Sequence, residues 1–284
     1  MKLTKVILIL LLPLYLCMES CGQKDSRYVA FFKETPAYEL AKAVEEADLR
    51  KIEKLVKRDS TLLEVTEPEY GSNVLVLCLY VEEFDSFKKL LELGADHNFI
   101  NPFDKHSVLI DAIVPFGSSF EWIEDNRYVE LLLEYGADPN YAIENDFTND
   151  KGRYVMATSP LMRAADLNLD VVKTLIKFGA DPYRKLGENL LTPFGEALEA
   201  TKVNIIYYFI DTLKVDIHQP LFIRSKDSLF IQDYIVTKLM LKNIRAEQQG
   251  LPIDIEGDEE RWELIKYLEL KGVDFVDYKY RRLK

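Results

Sequence analysis

The sequence predicts an all-α fold, a solenoid of about six short helix pairs joined by turn or hairpin fingers. Three observations carry this. One closing run recurs, as Gly94-Ala95-Asp96-His97-Asn98, Gly136-Ala137-Asp138-Pro139-Asn140 and Gly179-Ala180-Asp181-Pro182-Tyr183. Ahead of the closes stand apolar residues at helical spacing, such as Val171, Val172, Leu175 and Ile176. The helices so marked are about ten residues long, which is marginal in water, so each pair must bury its apolar side against the pairs before and after it.

The stretch 159–183 shows the pattern best, with Ser159-Pro160-Leu161 at its start, the small pair Ala164-Ala165, and the Gly-Ala-Asp close. It resembles the ankyrin repeat, which opens Thr-Pro-Leu-His-x-Ala and closes Gly-Ala-Asp on a period near 33. The resemblance implies one repeat domain over 37–284, with units at about 37–66, 67–100, 101–140, 141–184, 185–218 and 219–284. It names no partner.

In the first unit Leu40, Ala43 and Val44 share one helical face, and Leu49, Ile52, Leu55 and Val56 the next. It lacks both signature runs, as suits a terminal repeat whose outer face meets water. The second unit has the family's length from Leu75 to Gly94, and its first helix, 74–81, is apolar nearly all round. Cys78 takes the small-residue position there and reads as a buried thiol. The third unit opens SVLIDAI and is about eight residues too long. The excess, at 115–126, reads as a loop whose Phe116, Phe120 and Trp122 either fold back or form an exposed contact cluster.

In the fourth unit, apolar residues alternate on both sides of Asn149-Asp150-Lys151-Gly152 within 141–159. That suggests a β-hairpin finger, the alternative being a disordered insertion. The fifth unit opens Thr192-Pro193-Phe194, but its close, LKVDIH, lacks the Gly-Ala pair, which leaves the register open by about a residue. The sixth has an inner helix at 228–241, a polar loop at 246–261 and an outer helix at 262–275, before a basic tail that reads as a solvated terminus. Met162 and Gly195 stand where the family has a histidine. The resemblance gives that ring the job of tying neighbouring turns together, so looser fingers are expected at 96–106 and 181–191.

Residues 1–20 read as a signal peptide. Lys2 and Lys5 precede an apolar run from Val6 to Leu16, too short for a comfortable membrane span. Cys21, between Ser20 and Gly22, resembles the lipobox cysteine of bacterial lipoproteins, with Met18 and Glu19 as departures and Cys17 a poorer fit. The resemblance implies lipidation at Cys21, a tether over 21–36, and an exported protein anchored by lipid in the bacterial cell envelope, facing the periplasm or the surface. Cleavage there leaves only Cys21 and Cys78, so no disulfide framework is available.

Acidic residues outnumber basic ones 48 to 36, for a net charge of -12. That balance repels phosphate backbones and argues against a nucleic-acid partner. It serves either solubility or a basic partner. The three histidines lie in turn regions, and no metalloprotease, CxxC, phosphate-loop or nucleophile-elbow motif is present. Asp96, Asp138, Asp181 and Asp216 recur because each closes a repeat. No catalytic residue, metal or cofactor is expected, and an enzyme would need a site in the inserted loops, around Glu121 or Asp150.

The expectation is a non-catalytic monomer that binds another protein through its finger side. Position and aromatic content single out Asn98, Phe99, Phe103 and Asp104, then Tyr141, Phe147 and Tyr154 in the hairpin, then Tyr183 and Arg184. Resemblance to envelope ankyrin-repeat lipoproteins implies a second reading, an immunity protein that neutralises a secreted antibacterial effector such as a lipase.

Overall fold

Capped and sharply stopped helices are the main regular structure in the described residues of this protein, whose computed structural model describes residues 27–113, 126–224, 227–232, 235 and 256–275. Among the described residues there are twelve α-helices and only two short hairpins of strands, so the fold is helix-rich with little sheet. A single turn, α1 (Arg27–Ala30), precedes five helical hairpins: α2 (Tyr38–Glu45) with α3 (Leu49–Arg58), α4 (Val74–Tyr80) with α5 (Phe84–Glu92), α6 (Val108–Ile113) with α7 (Arg127–Glu134), α8 (Pro160–Ala165) with α9 (Leu169–Lys177), and α10 (Pro193–Glu199) with α11 (Val203–Tyr207). The last described helix is α12 (Glu256–Leu270). Strands β1 (Phe147–Thr148) and β2 (Tyr154–Val155) pair antiparallel, as do β3 (Phe222–Arg224) and β4 (Asp227–Leu229).

Each hairpin rests on the next. The first helices touch in the series α2, α4, α6, α8, α10, and the second helices α3, α5 and α7 likewise. A continuous apolar core runs through these contacts, from Val29 and Phe32 to Leu268 and Phe275. Residues Val74 to Leu79 of α4 are all buried. Cys78 lies among them, its thiol donating to the carbonyl of Val74 at 3.3 Å, and burial pushes that thiol well above the ordinary cysteine range.

The starts and stops follow local chemistry. Ser159 and Thr192 cap α8 and α10 by accepting the amides of Met162 (3.3 Å) and Gly195 (3.0 Å), with Pro160 and Pro193 in the first turn where no amide is missed. At the closes, Gly94, Gly136, Gly179 and Gly272 have φ of 93°, 95°, 91° and 91°. This left-handed turn lets the next amide reach back five residues, as from Ala95 to the carbonyl of Leu90 at 3.0 Å.

The fifth unit departs in a way its sequence left open. Lys214 takes the glycine's place at φ 58°, and the amide of Val215 reaches back six residues to Phe209 at 3.1 Å. One residue is inserted, and a π-helical turn over Tyr208–Thr212 absorbs it.

Neighbouring fingers are tied by side chains other than histidine. Asn98 Oδ1 accepts the amide of Asp138 at 3.0 Å, and Asn140 Oδ1 accepts that of Asp181 at 2.8 Å. The Tyr183 hydroxyl donates to the carbonyl of Leu213 at 2.9 Å. The residue that ends each close, asparagine twice and tyrosine once, thus links two successive fingers.

Three sequence expectations need correction. Part of the segment expected as tether is packed, since α1 begins at Arg27 and both Val29 and Phe32 are buried in the core. Ser228 and Leu229, expected at the start of an inner helix, belong to β4. Residues 256–261, expected as loop, form the first turns of α12. The stretch expected as a signal peptide, Cys21, the expected loop with Phe116, Phe120 and Trp122, and the basic tail lie outside the described residues.

Candidate functional site

A buried carboxylate fixes the first wall of the site. Glu67, 2% exposed, accepts the amides of Glu69 (2.7 Å), Tyr70 (2.9 Å) and Ser72 (3.0 Å), winding 67–72 into a rigid turn. Gly71 (φ 79°) brings this turn hard against the next finger; a Cβ there would lie 2.8 Å from Asn101 Oδ1 and 3.0 Å from the ring of Phe103. Asn101 joins the two segments, donating to the carbonyl of Tyr70 at 3.0 Å and accepting the amide of Phe103 at 2.8 Å.

The second wall is the β1–β2 hairpin. Asn149 shapes its tip by accepting the amides of Lys151 (3.0 Å) and Arg153 (2.9 Å), and Phe147 pairs with Val155 in the ladder. The tip reaches back across the intervening unit to the 67–72 turn. Lys151 donates to the carbonyl of Pro68 at 3.1 Å, and Arg153 pairs with Glu69 at 3.1 Å. The same two cations lie over aromatic rings, Arg153 4.5 Å from the centre of Tyr70 and Lys151 5.1 Å from that of Phe103.

Between these walls lies a cleft of about 580 Å³ whose floor comes from α8 and α10. Its rim carries Tyr154 and Met156, 65% and 61% exposed. Its charged lining sets Asp104, Asp166 and Glu196 against Arg153 and Arg163, with His106 beside them. His106 Nδ1 stands 3.0 Å from Asp111 Oδ1, and the Asp111 side chain is only 7% exposed. Burial lifts Asp111 above the ordinary carboxylate range, and the hydrogen bond and charge of His106 offset this only in part. Burial pulls His106 down, but the hydrogen bond it donates to Asp111 and the charges of Asp111 and Asp104 outweigh it, so the imidazole stays above its ordinary value.

Glu196 differs in having no such partner. Among the described residues no hydrogen bond or ion pair reaches the side chains of Arg163, Asp166 or Glu196. Burial first, then the charges of Asp166 and Glu199, push Glu196 up to about 7 against a smaller pull from Arg163. Its folded value is raised, so the folded chain binds more protons than the unfolded one between about pH 4.5 and 7, and stability falls as pH rises through that window. Allowing for partial exposure, this costs roughly 2 to 3 kcal/mol above the window. Glu196→Gln is therefore expected to stabilise the protein near pH 8 and to have little effect near pH 4; equal urea midpoints for both chains at pH 8 would refute this.

Of the residues singled out from sequence, the structure brings Phe103, Asp104 and Tyr154 together in the cleft. Asn98, Tyr183 and Arg184 face their own neighbours, Arg184 reaching the carbonyl of Asn140 at 2.6 Å and the carboxylate of Glu144. Tyr141 donates to the carbonyl of Lys105 at 2.7 Å, and Phe99 packs on the core. Sequence reading missed the floor, Arg163, Asp166 and Glu196, and the carboxylate of Asp111 behind His106. The signal was there, in charged residues on otherwise apolar inner helices.

Among the described residues no three His, Cys, Asp or Glu side chains are grouped to hold a metal ion, and no helix is long and apolar enough to cross a membrane. The cleft offers aromatic faces and a thioether at the rim, and on the floor two carboxylates and a guanidinium that make no hydrogen bond or ion pair among the described residues. No protein-family model matches the chain, and no curated protein matches it.

Proposed function

We propose that the chain is an ankyrin-repeat solenoid, held in a bacterial envelope by lipid on Cys21, that binds another protein in this cleft and catalyses no reaction. The repeat reading is supported by the Thr192-Pro193 and Ser159-Pro160 caps, by four glycine stops of nearly equal φ, and by hairpins that rest on one another in order. The docking reading rests on one observation. A hairpin from the fourth unit is pinned to a turn of the second, framing a cleft whose rim leaves Tyr154 and Met156 open to water. Exposed aromatic and thioether groups at the mouth of a preformed concavity are the usual anchors of a protein interface.

Neutralisation of a secreted effector is the same docking with a different partner, and the acidic floor favours a basic one. The test is affinity capture of the full-length tagged protein from membranes, with a Tyr154→Ala/Met156→Ala double variant as comparison. A partner retained by the wild type is expected to be lost from the double variant, and an identical partner set would overturn the docking reading. Cys21→Ser is expected to move the protein out of the membrane fraction, and its continued sedimentation with membranes would remove the lipid anchor.

A further inference from the structure

We propose that the cleft receives one cationic side chain, an arginine or lysine carried on a loop of the partner protein, which rests on the docking reading above.

The cavity, about 580 Å³, is within the size range of pockets that enclose a guest. Its walls already hold cations. The chain's own Arg153 and Lys151 are seated on the rings of Tyr70 and Phe103, so the aromatic faces of this cleft are shown with the guests they suit. Those two are committed to the hairpin's attachment, through Glu69 and the carbonyl of Pro68, and neither forms an ion pair with Asp166 or Glu196.

On the floor the charges do not balance. Asp111 is matched by His106, and Asp104 accepts the amide of His106 at 2.9 Å. Asp166 and Glu196 have no partner among the described residues, and Arg163, the one guanidinium contributed by the floor helices, pairs with neither. Closing the cleft with an apolar or anionic side chain would strip water from both carboxylates and return nothing. A guanidinium or ammonium group would meet them with charge-assisted hydrogen bonds while its stem lay along Met162 and the ring of Tyr154. Arg163 restricts the floor to a single guest, since a second cation would meet it directly.

The experiment titrates the full chain with capped Gly-Arg-Gly, Gly-Lys-Gly and Gly-Glu-Gly peptides and with spermidine, following backbone amide shifts at 161–166 and 193–199. Saturable shifts with the arginine and lysine peptides, absent with the glutamate peptide, are expected. The Asp166→Asn/Glu196→Gln variant should weaken them at least tenfold while keeping the wild-type amide dispersion elsewhere. Single variants at each position, expected to be intermediate, serve if the double variant fails to fold. No saturable shift with either cationic peptide, equal shifts with the glutamate peptide, unchanged binding by the variants, or binding of spermidine alone would each overturn the proposal. A partner that is still captured while both cationic peptides fail removes the cationic guest and leaves the docking reading intact. Peptide binding with unchanged capture by the Tyr154→Ala/Met156→Ala variant overturns the docking reading, and with it the assignment of the guest to a partner protein.

Discussion

Glu67→Ala is expected to lower the melting temperature by roughly 10 °C, the largest effect of any single polar substitution in the cleft's walls. Three backbone amides now end on this carboxylate, at 2.7, 2.9 and 3.0 Å, and the residue is buried. Alanine strands all three donors in a turn too tight to admit ordered water to each. Hydrogen bonds to a charged group, and amides left unmatched, together make this about 3 to 5 kcal/mol. Glu67→Gln should fall between wild type and alanine. Its amide oxygen can replace Oε1, which serves Tyr70 and Ser72, but its amino group would face the donor of Glu69. Thermal melts of the three chains decide the matter, and an alanine variant that melts with wild type would mean the turn is held by something else.

His106→Ala is expected to cost about 3 kcal/mol near neutral pH, because it leaves Asp111 buried without the group that compensates its charge. The pH profile separates this from a simple packing loss. Asp111 already sits above the ordinary carboxylate value of 3.8, and without His106 it rises further. A raised folded value means stability lost as pH climbs through it, so the deficit of the variant should shrink toward about pH 4 as Asp111 takes up a proton. In the wild type His106 is raised above its ordinary 6.5, so the pair's own contribution fades as pH rises past that folded value, and the deficit should narrow again near pH 9. Urea unfolding of both chains at about pH 4, 7 and 9 measures the profile. A deficit that stays constant across the three would show that Asp111 is neutral in the fold throughout.

The local devices of this chain were legible because each depends on residues within one turn of one another. Ser159 and Thr192 announce their helices from the position just before each, and Gly94, Gly136 and Gly179 mark their stops by a backbone angle few other residues take up. The turn at Asn149–Gly152 was readable for the same reason. Features built across the chain were not. The packing of α1 depends on Val29 and Phe32, three residues apart in a segment too short to show periodicity. The start of α12 is an acidic run whose composition looks like loop.

The candidate site was the least legible part. Phe103, Asp104 and Tyr154 could be chosen by position, but their meeting depends on Lys151 and Arg153 finding a turn 83 and 84 residues earlier. No local pattern encodes that. The other residues chosen with them, such as Asn98 and Tyr183, are consumed by ties between adjacent units, which sequence cannot tell apart from surface free for a partner.

The reach of the β1–β2 hairpin also bears on how the chain folds. In a pile whose members touch only the next member, stability is a sum of local and adjacent-pair terms, and assembly can nucleate anywhere and spread. A bond from residue 151 to residue 68 breaks that rule: it closes a loop that gains nothing until the intervening helices are already in place. The stretch from 67 to 155 is thereby bound into one cooperative block, with the hairpin as its final fastening.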